Sequence, residues 1–255
     1  MYKLITLLAI PVVLFFVLTG IRSKKPPAPA AKNITVAKGF ALLELYTSEG
    51  CSSCPPADAL LPEWEKMGPN VIPLSFHVDY WNRLGWKDRY SSEQFTQRQY
   101  AYAKKWELES VYTPQLVING AHELTGSNGH DARALISQAL DQKPEATLTV
   151  DSVTNNNTQL GFSVSIAGIY SASVLNIALV EKENTSSVTA GENRGRKLVH
   201  HNIVWAFKEM PAQKKISSFI NIPAGLKGNC ALVFFVQRND NRLVTAATKR
   251  DLIVQ

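Results

Sequence analysis

The 255-residue sequence predicts an α/β domain followed by an all-β antiparallel sandwich of the Ig-like kind. Two observations carry this prediction. Apolar strand patterns alternate with helical patterns over residues 38–144, which indicates an α/β domain. Seven strand patterns with turn-rich connections then follow one another over residues 145–255, which is typical of a sandwich. The sequence therefore predicts two domains that meet near residue 144.

The beginning of the chain has the pattern of an export signal. A single lysine precedes an apolar run from Leu4 to Leu18, and basic residues follow it. The run approaches the length of a spanning helix, so residues 1–22 are either a cleaved signal peptide or an anchor through residues 4–21. Residues 23–37 are rich in Pro and Ala and predict a tether. We expect the folded part to be extracytoplasmic, periplasmic or secreted, with membrane attachment through the N-terminal segment as one alternative.

Charge and motifs exclude several classes of partner. The formal net charge is +6, but the Lys and Arg residues are scattered without a long basic run. We therefore expect no nucleic-acid partner. The chain has no P-loop, no dinucleotide fingerprint and no G-x-S-x-G elbow, and we expect no cofactor.

The stretch TSEGCSSCPPAD places Cys51 and Cys54 between a buried strand and the start of a helix. A reversible disulfide suits this position, because a helix start stabilises a thiolate on the first cysteine. We expect Cys51 to be the more exposed, attacking thiol and Cys54 to resolve the mixed disulfide. Glu49 works against this, since a nearby carboxylate disfavours a second negative charge. The third cysteine, Cys230, lies in the apolar run CALVFFV and is predicted to be a buried strand thiol.

Polar and aromatic side chains follow the second predicted strand. His77 and Asp79 alternate along SFHVDYW and are expected on one face near its carboxyl end. They could tune a thiol or shuttle its proton, or they could make local hydrogen bonds only. Trp81 could line a binding face or simply pack. The later stretch GENRGRKLVHH could hold an anion, or it is a solvated loop that leads into a strand.

A proline before a buried strand favours the redox interpretation. In YTPQLVING, Thr113 and Pro114 directly precede the strand, where a proline is disfavoured unless it begins the strand. The order of strand, C-x-x-C, helix, strand, helical insertion, proline-led hairpin and final helix resembles the thioredoxin-like fold. The resemblance implies that Pro114 is a cis proline that packs against the cysteine pair and presents backbone to an extended peptide. The chain departs from thioredoxin in the Ser-Ser between its cysteines and in the inserted helix.

A narrower resemblance rests on four stretches, LLELYTSEGCSSCPPAD, HVDYWNRLGWKD, VYTPQLVINGAHELTGS and AGENRGRKLVHHNIV. Together they resemble a secreted family catalogued as domain of unknown function 1223. The resemblance covers nearly all of the chain after the tether. Because the family carries no established reaction, it implies a fold and not a function.

Three functions stay open at the level of the sequence. The first is an extracytoplasmic thiol-disulfide oxidoreductase that uses Cys51, Cys54 and Pro114 on protein or small-molecule thiols and disulfides. The second is a soft-metal protein in which the cysteine pair joins His77 or His122 around an ion such as Cu(I), although no residue is assigned as a metal ligand. The third is a non-catalytic interaction protein in which the disulfide is a staple and the sandwich binds a partner.

Overall fold

The computed structural model of the protein describes residues 39–255. The predicted signal peptide or anchor over residues 1–22 and the predicted tether over residues 23–37 lie outside the described residues. Strands hold 47% of the structure and helices 18%, so the fold is mostly β. Within residues 39–255, no helix is both long enough and apolar enough to cross a membrane.

Eleven strands, four α-helices and one 3-10 helix follow one another in the described chain. In chain order they are β1 (Ala41–Thr47), α1 (Pro55–Asp58), α2 (Leu61–Glu65), β2 (Val71–His77), the 3-10 helix (Asn82–Leu84), α3 (Glu93–Lys105), β3 (Gln115–Ile118), β4 (His122–Thr125), α4 (Gly129–Asp141), β5 (Ala146–Asn155), β6 (Gln159–Gly168), β7 (Ser173–Ser187), β8 (Lys197–Pro211), β9 (Lys215–Asn221), β10 (Gly228–Arg238) and β11 (Val244–Val254). Seven of the strands follow residue 145, which confirms the number of strand patterns predicted there.

Local signals in the sequence set two connections in the N-terminal part of the large sheet. The chain turns between β3 and β4 at Asn119 and Gly120, whose φ angles of 49° and 61° suit a tight hairpin. A Cβ on Gly120 would lie 2.0 Å from the carbonyl oxygen of Arg242, so this position requires glycine. The apolar periodicity of PPADALLPEWEKMGPN predicts one helix with a kink at Pro62, but the structure divides this segment into α1 and α2.

One mixed sheet of eight strands runs through most of the structure, in the order β11-β10-β7-β8-β2-β1-β3-β4. β1 and β2 are parallel, and β2 also pairs in parallel with β8 where Ser75 lies opposite Ile203. The other neighbouring strands of this sheet are antiparallel. A second sheet contains β5, β6 and β9.

The predicted fold class, a thioredoxin-like α/β domain followed by a separate antiparallel sandwich, is wrong. β7, β8, β10 and β11 come from the C-terminal half of the chain, yet they extend the sheet that β1 and β2 begin. The contact of β2 with β8 joins strands from both halves into one sheet. Sequence patterns show which segments are strands, but they do not show which distant strands pair. A division of the chain near residue 144, between α4 and β5, stays a prediction.

Side chains alternate along the strands so that both faces of the large sheet carry apolar cores. On β10, Leu232 and Phe234 point into one core, and Val233 and Phe235 point into the other. Burial on both faces explains why the run CALVFFV is continuously apolar. The first of these cores lies between the large sheet and the three-stranded sheet, so the β-rich C-terminal part does contain two packed sheets, as a sandwich does.

Helices cover the N-terminal part of the large sheet. α1, α2 and α4 pack on the face of β1 that carries Leu43 and Leu45, and α3 packs on the opposite face against Phe76 of β2. β1 and β2 end side by side at Thr47 and His77. The cysteine loop leaves from one of these strand ends and the segment before α3 leaves from the other, so this edge of the sheet positions the candidate site.

Arg98 of α3 is buried and connects this helix to strands from both halves of the chain. Arg98 of α3 donates two hydrogen bonds to Glu44 of β1, at 2.6 and 3.0 Å, and one to Gln237 of β10, at 3.1 Å. The side chains of the pair are at most 3% exposed. Burial alone would raise the pKa of Glu44, but the charge of Arg98 and the hydrogen bonds from Arg98 and Tyr102 together hold this pKa below its ordinary value.

Candidate functional site

The two cysteines form a disulfide in the loop between β1 and α1. Their Cα atoms are 5.5 Å apart, and Cys54 is the residue at which α1 begins. Both residues are completely buried, with 0% exposure, so the expectation that Cys51 is the more exposed of the two is wrong. α1 has only four residues, and its field at the cysteines is therefore weaker than that of the longer helix the sequence predicts.

A distant loop packs against the backbone of the cysteine loop. Residues 188–196 connect β7 to β8, and we call them the cap loop. The side-chain amide of Asn193 is buried and donates to the carbonyl oxygens of Glu49, at 2.9 Å, and Cys51, at 2.8 Å. Glu192 accepts a hydrogen bond from the backbone N–H of Ser52, at 3.0 Å. The cap loop is therefore hydrogen-bonded to the segment that carries the buried disulfide.

Thr113, Pro114 and Trp81 border the disulfide loop on another side. The Thr113–Pro114 peptide bond is cis, as the resemblance to the thioredoxin-like fold implied. Ser53 connects the two loops, because its hydroxyl lies 3.4 Å from Sγ of Cys51 and 3.5 Å from the carbonyl oxygen of Thr113. The indole N–H of Trp81 donates to the Thr113 hydroxyl at 2.8 Å. These predicted residues thus lie together beside the disulfide.

Asp58 lies one helical turn after Cys54. Its backbone N–H donates to the carbonyl oxygen of Cys54 at 3.1 Å, so the two side chains share one face of α1. The carboxylate is buried, with 4% exposure of the residue, and Oδ1 has no hydrogen-bond partner among the described residues. Oδ2 lies 3.7 Å from Nδ1 of His200, close enough for charge attraction. A buried carboxylate without a full set of hydrogen bonds costs folding free energy. Asp58 is therefore a candidate for a role in the chemistry of the site.

His200 of β8 lies between two carboxylates. Its Nε2 is 3.2 Å from Oε1 of Glu49, and its Nδ1 faces Asp58. Burial lowers the pKa of His200, but the two carboxylates outweigh burial and raise this pKa to about 9. The imidazole is therefore protonated at neutral pH. Burial likewise raises the pKa of Glu49, but the hydrogen bonds from His200, Ser186 and Trp86 together hold that pKa below its ordinary value.

A second histidine–carboxylate pair adjoins the first. Nδ1 of His77 lies 2.7 Å from Oδ2 of Asp88, and the same oxygen accepts the backbone N–H of Glu49 at 2.9 Å. Burial would raise the pKa of Asp88, but the charge and hydrogen bond of His77 and the backbone hydrogen bonds from Glu49 and Tyr90 together lower this pKa. The rings of His77 and His200 are 5.0 Å apart. We call the five residues Glu49, Asp58, His77, Asp88 and His200 the acid–histidine cluster.

Asp79 does not join this cluster. β2 ends at His77, and Asp79 lies beyond it, where its carboxylate accepts the Thr96 hydroxyl at 2.6 Å. The alternation expected for His77 and Asp79 therefore does not continue past the strand end. Glu49 has a further partner, since the indole N–H of Trp86 donates to its Oε2 at 2.7 Å.

Sequence reasoning missed Asp58, Asp88 and Asn193, and it named His200 only within a basic stretch. Asp58 had a local signal, because it follows Cys54 by four residues in a helical segment. Asp88, Asn193 and His200 had no such local signal in the sequence. Their place in the site depends on where the cap loop, β8 and the segment after β2 lie in the folded chain.

The soft-metal alternative finds little support in the geometry. Within residues 39–255, no group of three or more His, Cys, Asp or Glu side chains is arranged to hold a metal ion. His122 lies on the edge strand β4, opposite Ile118. The remaining cysteine, Cys230, is a buried strand thiol as predicted, and burial together with the charge of Glu181 raises its pKa to about 11.

Comparisons with known proteins give a family and a fold. Residues 42–237 match the family described as Protein of unknown function (DUF1223). A crystal structure of protein AGR_C_4864 from Agrobacterium tumefaciens is 27% identical, with a TM-score of 0.61, over 84% of this chain and 94% of that chain. HBP35 of Porphyromonas gingivalis is 15% identical, with a TM-score of 0.64, over 84% of this chain and 76% of that chain, a likeness of fold alone. No curated protein matches the sequence.

Proposed function

We propose that this chain, which belongs to the DUF1223 family, is a thiol-disulfide oxidoreductase whose working group is the Cys51–Cys54 disulfide. The observation that carries the proposal is the buried carboxylate of Asp58, which lies one turn below Cys54 and has an unpartnered oxygen. A disulfide that only staples a loop needs no such group. A disulfide that is reduced and reoxidised needs a nearby group that donates protons to the cysteine thiolates and accepts them from the thiols.

The exchange reaction follows from this arrangement. A substrate thiolate attacks Sγ of Cys51, the Cys51–Cys54 bond breaks, and Cys54 leaves as a thiolate. The proton on His200 passes through Asp58 to the Cys54 thiolate. A second substrate thiolate then attacks the substrate sulfur of the mixed disulfide and releases Cys51, so that two electrons pass from the substrate dithiol to the cysteine pair. The reverse sequence reduces a substrate disulfide.

The cap loop controls access in this scheme. Because both sulfur atoms are buried, the hydrogen bonds of Asn193 to Glu49 and Cys51 must break before a substrate can attack. Thr113 and Trp81, which border the disulfide loop, then form the surface that the substrate meets. The substrates are thiols or disulfides of proteins or small molecules. The apolar run near the N-terminus argues for an extracytoplasmic place of action, where a disulfide persists.

The interaction protein with a stapled loop is the second candidate, and the complete burial of both sulfur atoms favours it. The two candidates differ in whether the pair opens under native conditions. In a staple, the acid–histidine cluster would serve only to hold the edge of the sheet together.

Trapping of a mixed disulfide tests the proposal. The reduced Cys54→Ser variant lacks the resolving thiol, so with a disulfide-bonded model peptide it should accumulate a stable adduct at Cys51, read by intact mass. The Cys230→Ala background removes the third thiol without touching the site. The Cys51→Ser variant is the matched control and should form much less adduct. If the Cys54→Ser variant is folded and forms no adduct, the oxidoreductase proposal fails and the staple replaces it.

A further inference from the structure

Two loops that meet beside the disulfide carry exposed basic residues, which we call the basic rim. Its members are Arg83, Lys87, Arg89, Arg194, Arg196 and Lys197. The loops are in contact, because a Cβ on Gly191 would lie 3.3 Å from Cβ of Trp86 and 3.9 Å from the carbonyl oxygen of Leu84. The second loop is the cap loop with the first residue of β8, so the rim adjoins the disulfide.

Little negative charge compensates the basic rim. The only acid in residues 81–90 is Asp88, which is buried against His77. The only acid in residues 189–197 is Glu192, whose carboxylate accepts the N–H of Ser52. No side chain of the basic rim forms an ion pair with any other residue in the described part of the chain. The two loops therefore present an excess of exposed positive charge beside the cysteine loop.

We propose that the basic rim recruits acidic polypeptide segments whose thiols or disulfides exchange with Cys51 and Cys54. This deepens the proposed function and rests on it. The rim extends over two loops, which suits a peptide with several carboxylates better than a single small anion. An incoming carboxylate can also replace Glu192 at the N–H of Ser52 and so release one of the contacts that hold the cap loop closed. Binding of the acidic segment would then favour opening of the cap loop.

Three model peptides of equal length and cysteine spacing test the inference, with glutamate, serine or lysine at the flanking positions. The reduced protein is mixed with each disulfide-bonded peptide at about 0.02 M and about 0.5 M salt, and the second-order rate constants of exchange are compared. The acidic peptide should react at least about tenfold faster than the basic one at low salt, and the difference should shrink at high salt.

A double variant tests whether the basic rim causes the faster exchange of the acidic peptide. Arg194→Gln with Arg196→Gln removes two of the six rim charges and should slow the acidic peptide about threefold to tenfold, while the serine peptide keeps its rate. Lys214→Gln with Lys215→Gln is the matched control, since both lysines are exposed and lie beside the three-stranded sheet. This control should leave all rates unchanged. Equal losses in the two double variants would overturn the inference.

Measurements of peptide binding separate the oxidoreductase proposal from the inference about the basic rim. Peptides with serine in place of cysteine report recruitment without exchange. If the acidic peptide binds but no peptide exchanges, the oxidoreductase proposal fails and so does the substrate inference, although an acidic-peptide surface stands. If all peptides exchange at equal rates, the oxidoreductase proposal stands and the inference about the basic rim is overturned. Tighter binding to phosphatidylserine vesicles than to the acidic peptide would also overturn it.

Discussion

Nε2 of His200 lies 3.2 Å from Oε1 of Glu49, although 151 residues separate the two positions in the chain. Glu49 belongs to the cysteine loop, and His200 lies on β8, a strand of the C-terminal half. The contact depends on β8 lying next to β2 in the large sheet. The candidate site is therefore assembled from both halves of the chain, and neither half contains it alone.

The raised pKa of His200 makes stability depend on pH. A folded-state pKa of about 9 lies above the ordinary 6.5, so the charged histidine stabilises the fold fully below about pH 6.5. This stabilisation is lost as pH rises through about 9. The difference corresponds to about 3 kcal/mol. The free energy of unfolding, measured by urea titration from pH 6 to 9.5, should fall with pH in the parent protein.

The variant His200→Gln should flatten this part of the pH profile. His201→Gln is the matched control, because the neighbouring His201 faces Glu183 at the surface. The control should keep the slope of the parent. A His200→Gln variant with the slope of the parent would contradict the assignment of the proton to His200.

Loss of the Asp58 carboxylate should slow opening of the disulfide. We expect Asp58→Asn to reduce the rate of disulfide reduction by dithiothreitol about 100-fold at pH 7, because the path for the proton to Cys54 is removed. The dependence of this rate on pH should also change, which a purely structural role would not produce. The control is Glu63→Gln on α2, whose side chain is half exposed. An unchanged pH profile in a folded Asp58→Asn variant would argue against proton transfer.

Removal of the Asn193 amide should expose the disulfide. The variant Asn193→Ala loses two hydrogen bonds to the cysteine loop, each contributing about 1 kcal/mol, so the cap loop should open about tenfold or more often. Dithiothreitol should then reduce the pair faster by a similar factor under native conditions. Asn229→Ala, at an exposed position of β10, should behave as the parent. Equal reduction rates in the parent and in Asn193→Ala would show that the cap loop does not limit access.

The buried ion pair away from the site should matter for stability alone. Glu44→Gln leaves the Arg98 charge buried without its partner, and we expect a loss of about 3 to 5 kcal/mol in the free energy of unfolding. Arg133→Gln breaks an exposed pair with Glu63 and should cost at most about 1 kcal/mol. Urea titrations at pH 7 compare the two. Similar losses in both variants would contradict the account of Glu44.

Local features of the fold could be predicted from the sequence. The Asn119-Gly120 hairpin, the burial of Cys230 and the seven late strands each follow from a pattern within about ten residues. The shared sheet could not be predicted in this way, because the pairing of Ser75 with Ile203 is a contact between distant segments.

The same limit applies to the candidate site. The C-x-x-C pair and the Thr113–Pro114 bond could be identified from short motifs. The environment of Cys51 could not, because its carbonyl oxygen accepts a hydrogen bond from Asn193, 142 positions later in the chain. His200 also carries no local sign of its role. Its protonation depends on carboxylates that only the folded chain brings near it.

The reduction potential of the Cys51–Cys54 pair distinguishes a disulfide that exchanges with substrates from a structural staple. The Cys230→Ala protein is equilibrated in glutathione buffers of known potential, and the fraction of reduced pair is read by alkylation and intact mass. For a thiol-disulfide oxidoreductase, we expect a potential in the range of exchange catalysts, about −270 to −120 mV. A potential below about −300 mV would mark a structural staple and contradict the proposed function.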